Sequence, residues 1–495
     1  MDFHFKDQRE SELFAADLAE LLKQGDVVAL SGDLGVGKST ISRALLRHLA
    51  ADPHLEVPSP TFTLVQVYDL PRLYVAHLDL YRVEEPEELE ELGLEDTLEQ
   101  GAALIEWPEM GDPSFWPHAL YLEIREGDTP DTRVVSASSE NEDWNARLQR
   151  LIARRDIVAK AGWEHAQRQY LQGDASTRSY VRLIQNGETA ILMDSPARCD
   201  EPLLADGQAY SQAVHLAQNI EGFLAVGQAL EVRGYTVPKT LAANKERGLA
   251  LLGDLGSRFI VEDGEPVTER YKRAIDVLVD MHSNAWPQSV GVPGGGRYTL
   301  GNYDGQALLL EADLFLDWYL PYAKGQQASR AMREEFHRLW SCALAPLAAL
   351  PQVWCLRDYH SPNLLWMDHE TGLKQIGLID FQDAVMGPSA YDVASLVMDA
   401  RVGVSHKLQD SLIDYYCTQA RENLLSFDEK LFRYGVAVLA AQRNTKILGG
   451  FVRLDQAYGK PEYIHKIPGI LSYLKRGLDH PELKDLKDFM LAVLS

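Results

Sequence analysis

The segment that most constrains this chain is Gly32 to Ser39, GDLGVGKS, because a loop with that spacing works only between a strand and a helix. The buried-strand run VVAL, Val27 to Leu30, precedes it. ISRALLRHL follows, with Ile41, Leu45 and Leu46 at helical spacing. Glycines let successive backbone N–H groups curl around phosphates. Lys38 reaches the outer phosphates as a point charge, and the Ser39 hydroxyl suits Mg²⁺. Gly32, Asp33, Gly35, Val36, Gly37, Lys38, Ser39 and Thr40 are therefore the expected ATP-binding residues of a strand–loop–helix unit.

That unit fills only part of a chain of 495 residues, and domains usually span about 100–200. TFTLVQVYDL, RLYVAHLDLY, AALIEW, ALYLEI and TRVVSAS add strand candidates, which predicts a small mixed sheet. SSENEDWNARLQR is polar and lacks strand character, so the domain junction is expected at 138–150. Nine acidic and no basic residues lie between Glu84 and Glu99, which reads as a solvated helix face or a docking face for a basic partner. RDIVAKAGWEHAQRQYL then reads as helix, RSYVRLIQ and TAILMD as strands, EGFLAVGQALEVRG as helix and TLAANKERGLALLGDLG as a strand pair. Long helical patterns dominate beyond about residue 260.

A second phosphate-handling pattern lies in this later part. In RDYHSPN, Asp358 and Asn363 are five apart, and LIDFQD places Asp380 downstream. The spacing suits phosphoryl transfer: one carboxylate faces the acceptor hydroxyl, while an amide oxygen and a second carboxylate bind Mg²⁺. Asp392, His360, His77 and Asp383 read as local structure.

A formal charge of −25 argues against direct, broad binding to nucleic-acid backbones, which takes many Lys and Arg. Cys199, Cys342, Cys355 and Cys417 are too scattered for a disulfide framework. No apolar run approaches the ~20 residues of a membrane span, and DFHFKDQRE after Met1 is no secretory leader. A cytoplasmic protein without membrane contact is expected.

VPSPTFTLVQVYD, AHLDLYRVEEPEELEELGLED and LIEWPE, in this order after the glycine loop, resemble the TsaE family of ATPases required for threonylcarbamoyl-adenosine in tRNA. The resemblance covers roughly residues 5–138. It implies ATP and Mg²⁺, a switch role for Thr61 near the outer phosphate, and Glu106 assisting the metal. It also assigns Asp79 and Trp107 to the site. TsaB- and TsaD-type subunits of a tRNA-modifying complex are the implied partners.

GDASTRSYVRL, ILMDSP, LRDYHSPNLLW, GLIDFQDAVMGPSAYDVASL and QRNTKILGGFVRL resemble the aminoglycoside phosphotransferase family, and within it the kinases of N-acetylmuramate and N-acetylglucosamine. This implies Asp358 as catalytic base, Asn363 and Asp380 on Mg²⁺, a small-molecule amino sugar as acceptor, and Ser176, Thr177 and Arg178 over the phosphates of ATP. Leu356 stands where kinases carry histidine, and Met193 where they carry the ATP-binding lysine. Arg182, on the preceding strand, is the expected substitute. The expected architecture is an α/β P-loop NTPase domain, 1–145, followed by an α+β two-lobed protein-kinase-like domain, 150–495, with a small lobe at 150–258 and a large lobe at 259–495. The implied function is bifunctional: an ATPase serving tRNA modification and an anomeric kinase of peptidoglycan recycling. A different small-molecule acceptor, or an inactive sugar-sensing second half, remains the alternative.

Overall fold

The computed structural model describes residues 1–83, 93–171, 178–198, 204 and 207–494. It forms two compact units, Met1–Ser195 with Leu241–Asp254, and Pro196–Thr240 with Leu255–Ser495.

The first unit holds β1 (Asp2–Phe5), α1 (Gln8–Ala19), β2 (Val27–Ser31), α2 (Lys38–Ala50), β3 (Val65–Asp69), β4 (Tyr74–Asp79), α3 (Leu94–Gln100), β5 (Gly101–Glu106), β6 (Leu120–Glu126) and β7 (Arg133–Ser138). The sheet order is β1-β7-β6-β2-β5-β4-β3. β2 runs parallel to β5 and β6, and β4 runs parallel to β5, while β3, β7 and β1 pair antiparallel at the edges. Strands buried on both faces, such as the fully buried β5, suit this parallel centre. Gly32 follows β2 at φ 133°, and a Cβ there would sit 2.2 Å from the Ile124 carbonyl oxygen, so only glycine fits the turn into the loop. Of the acidic stretch, 84–92 lie outside the described residues, and α3 places Leu94 and Leu98 against the core.

The polar stretch at the expected junction lies in a helix, α4 (Glu142–Lys160). The Asn141 side chain caps it by accepting from Asp143 N, and Glu142 and Asp143 favour the positive end of the helix dipole. Its composition looks like a linker because its arginines are engaged laterally. Trp144, Leu148 and Leu151 meanwhile recur at helical spacing and enter the core of the seven-stranded sheet. The following turns turn to a second core, where Ala153, Ile157 and Val158 pack on Val181, Leu183, Ala190 and Leu192.

That second core underlies a five-stranded sheet, β11-β12-β10-β9-β8, of β8 (Gln167–Leu171), β9 (Ser179–Gln185), β10 (Glu188–Asp194), β11 (Thr240–Asn244) and β12 (Leu249–Gly253). The helix expected through Leu171 ends at Lys160. Gly162 takes φ 80°, and QRQYL pairs antiparallel with β9 as an edge strand.

The second unit is mainly helical. It carries the strand pairs Leu364–Trp366 with Ile376–Leu378 and Gln352–Cys355 with Val385–Pro388. Its longest helix, Glu429–Tyr458, presses Gly449 against the backbone of Leu314, where an added Cβ would lie 2.0 Å from the carbonyl oxygen. Among the described residues no helix is long and apolar enough to cross a membrane.

Candidate active sites

The first site forms where parallel strands end. β2 and β5 pair Leu30 with Glu106, and β4 and β5 pair Asp79 with Glu106, so both carboxylates stand at the strand ends beside the loop that leads into α2. Glu106 is 1% exposed. It accepts from Ser39 Oγ at 2.8 Å and Ser42 Oγ at 2.9 Å, and His77 Nε2 lies 2.8 Å from its Oε1. Asp79 accepts from Ser59 Oγ at 2.6 Å and Thr61 Oγ1 at 2.9 Å, which ties the segment carrying Thr61 to β4.

Lys38 donates to the carbonyl oxygens of Gly32 at 2.6 Å and Asp33 at 3.0 Å, and its Nζ lies 3.4 Å from the centroid of the Trp107 ring. Burial pulls its pKa down, opposed by the charges of Glu106, Glu109, Asp79 and Asp33. Trp107 reaches this position from a left-handed backbone at φ 62°, a conformation that bulky residues rarely adopt. Val36 is buried, Asp33 and Gly35 are exposed, and Thr40 lies in the first turn of α2, its N–H donating to Gly37 O.

In the second unit, Asn363 Nδ2 donates to the Asp358 carbonyl at 2.9 Å and approaches Asp380 Oδ2 at 3.4 Å, so one amide joins the two motif carboxylate positions. Gln382 Nε2 spans Asp380 and Asp383 at 3.0 Å each. Asp392 accepts from the backbone N–H groups of Leu356 and Arg357, fixing the loop from behind. Burial pushes the Asp392 carboxyl up to about 7. Phe381, after Asp380, stacks on Phe223 with centroids 4.8 Å apart.

The Asp358 side chain is 37% exposed, and Arg443 Nη2 lies 3.7 Å from its Oδ1. Burial pushes its carboxyl up, but the charge of Arg443 above all, with His360, Lys446 and Arg357 behind it, outweighs that and holds the group at about 2. Behind it, fully buried Glu311 accepts from Arg357, Lys446 and Tyr303.

Arg182 lies in the five-stranded sheet of the first unit, opposite Ile191 and on the same face as Met193, and donates to Asp254 Oδ2 at 2.6 Å. Met193 is buried. Arg178 directly precedes β9, and Ser176 and Thr177 lie outside the described residues. Ser42, Arg443, Lys446 and Glu311 are not marked by any motif in the sequence, and His77, expected as local structure, lies at the first site. His77 had one legible signal, its place two residues before Asp79 on the same strand face.

The model of the threonylcarbamoyl adenosine biosynthesis protein TsaE family matches residues 5–135, and that of the phosphotransferase enzyme family matches residues 167–427. The chain is 33% identical over 351 residues to the N-acetylmuramate/N-acetylglucosamine kinase of Caulobacter vibrioides, covering 68% of this chain and 95% of that one. The kinase of the same name from Pseudomonas putida is 27% identical over 322 residues, with 64% and 85% covered. The tRNA threonylcarbamoyladenosine biosynthesis protein TsaE of Rickettsia prowazekii is 36% identical over 134 residues, 27% of this chain and 92% of that one. Two separate sites, each within the span matched by its own family, make this chain a member of the TsaE family in its first part and of the phosphotransferase enzyme family in the larger remainder.

Proposed function

We propose that the chain is a bifunctional cytoplasmic enzyme: an ATP-hydrolysing TsaE-type domain serving tRNA threonylcarbamoyladenosine synthesis with TsaB- and TsaD-type subunits, and an ATP-dependent kinase that phosphorylates N-acetylmuramate or N-acetylglucosamine at the anomeric hydroxyl. The observation that carries the kinase reading is the partly open Asp358 carboxylate, on a loop whose backbone carbonyl Asn363 ties to Asp380.

Hard oxygen donors suit Mg²⁺ at both sites: the Ser39 hydroxyl with Glu106 and Asp79 in the first, the Asn363 amide oxygen and Asp380 in the second. When bound, Mg²⁺ neutralises phosphate charge. Asp358, held at about 2, is ionised throughout the working range and a weak base. It therefore orients the acceptor hydroxyl and takes its proton late, as the oxygen–phosphorus bond forms. An anomeric hydroxyl, more acidic than an ordinary alcohol, suits such a base.

An acceptor screen with phosphorus NMR tests this reading. The expected product is a sugar 1-phosphate that no longer reduces copper or tetrazolium reagents; a product that keeps its reducing end contradicts it. Met193 favours a second reading, a sugar-sensing half without catalysis, since methionine cannot pair a phosphate and Arg182 is engaged by Asp254. ATP-dependent phosphorylation of any sugar removes it. Arg182→Ala that leaves the ATP requirement unchanged would remove Arg182 as the substitute for lysine.

A further inference from the structure

The long helix Glu429–Tyr458 carries Arg443, Lys446, Gly450 and Arg453 at intervals of three and four, which puts them on one face. Arg443 brings that face to the catalytic carboxylate, 3.7 Å from Asp358 Oδ1. Three residues further, Lys446 is displaced by about 4.5 Å along the axis, the scale of a sugar ring. Its Nζ donates to Glu311 Oε1 at 2.8 Å, and its side chain remains 22% exposed. The same Glu311 oxygen already takes the fully buried guanidinium of Arg357. One carboxylate oxygen is shared by two cations, and Lys446 is the one that reaches solvent.

The next turn is open, since a Cβ added at Gly450 meets nothing within 4 Å. Beyond it Arg453 lies over the Tyr210 ring, 5.6 Å from its centroid, and donates to the Tyr458 hydroxyl. No carboxylate pairs with Arg453 among the described residues. Among the described residues, the face leading away from Asp358 thus carries Lys446 and Arg453 with open space at Gly450 between them, in a chain whose net charge is −25.

We propose that Lys446, supported by Arg453, binds a carboxylate borne by the acceptor sugar and so sets the preference between the two amino sugars. This rests on the kinase reading of Asp358. N-acetylmuramate carries a lactyl carboxylate on the ring, and N-acetylglucosamine is neutral. Lys446 contributes to the acid form and is idle with the neutral one. Lys446 is a specificity residue, whereas Asp358 performs the chemistry.

Steady-state kinetics with both sugars test this in the full chain. Lys446→Gln keeps a donor toward Glu311 and removes the charge. The ratio of kcat/KM for N-acetylmuramate to that for N-acetylglucosamine is expected to fall about 10–100-fold, mainly through KM, the size of a lost hydrogen bond to a charged group. Lys446→Arg should restore much of the ratio. Equal losses for both sugars would mark a structural role and overturn the proposal. Should Lys446→Gln not fold, Arg453→Gln at the open end asks the same question, and an unmoved ratio overturns the proposal. An unaltered enzyme that phosphorylates neither sugar overturns the kinase reading as well, which separates the two failures.

Discussion

Glu106 and Asp358 show how differently two motif carboxylates can be held. Glu106 is enclosed by Ser39, Ser42 and His77. Glu106→Gln turns one acceptor oxygen into a donor facing those groups, and is expected to lower ATP hydrolysis about 10²–10³-fold while nucleotide still binds through the loop. Unchanged turnover would remove Glu106 from the chemistry. Asp358 faces solvent on one side, and Asp358→Asn keeps its shape without its charge. Phosphorylation of the sugar should fall about 10²–10⁴-fold with little change in ATP binding, measured by coupled assay and nucleotide titration. Asp358 is legible from its offset to Asn363, and Glu106 from the resemblance of LIEWPE to the TsaE family. Arg443, Lys446 and Glu311 are not. Glu311 meets Lys446 across 135 residues of chain, a relation that no local spacing records.

The element least legible in the sequence is α4, whose first half reads as a polar stretch without strand character and whose second half reads as helix, and which folds as one shared support. Its charges are lateral ties: Arg147 chelates Asp26, Arg150 holds Asp194, and Arg155 joins Arg168 on Asp17 of α1. Strands with strong alternation and helices with clear caps are legible, while β8 reads as helix because its polar QRQ has no partner until β9 folds beside it. Asp17 gives this element a pH signature. Burial is the largest influence and raises its carboxyl, but the guanidiniums of Arg168 and Arg155 outweigh it and leave it below its ordinary 3.8. A depressed carboxyl contributes stability that is complete above about pH 3.8 and is lost as pH falls through its folded value. Asp17→Asn should therefore cost about 1–3 kcal/mol at pH 7, and the gap to the unaltered protein should narrow in acid. Urea unfolding at both pH values checks this, and a gap that widens in acid would contradict it.

At the scale of the whole molecule, the first compact unit combines the seven-stranded sheet with the five-stranded sheet of β8 to β12. The two families matched here are therefore not two beads on a string. Arg9 Nη2 donates to His165 O at 2.8 Å, and Arg72 lies over the Tyr170 ring at 4.8 Å, so β8 and its approach rest on the P-loop domain. A cut at residue 150 severs α4 within its helical span. A cut at 141 keeps the helix but strips the cover from Trp144, Leu148 and Leu151, each buried against the first core. Uncovering side chains of this size costs about 1.5–3 kcal/mol each, and losing Asp17 leaves Arg155 and Arg168 without their carboxylate. Either kinase fragment should melt well below the full chain, and kinase activity should fade at a temperature where the full chain retains it. Binding of nucleotide to the loop at Lys38 stabilises the folded form by mass action, so ADP should raise the melting temperature of the five-stranded sheet in the full chain, and Lys38→Ala should reduce that shift. Thermal unfolding followed by hydrogen exchange at β9 and β10 distinguishes the outcomes: a fragment starting at 141 that protects these strands as well as the full chain does would show that the two sheets fold independently.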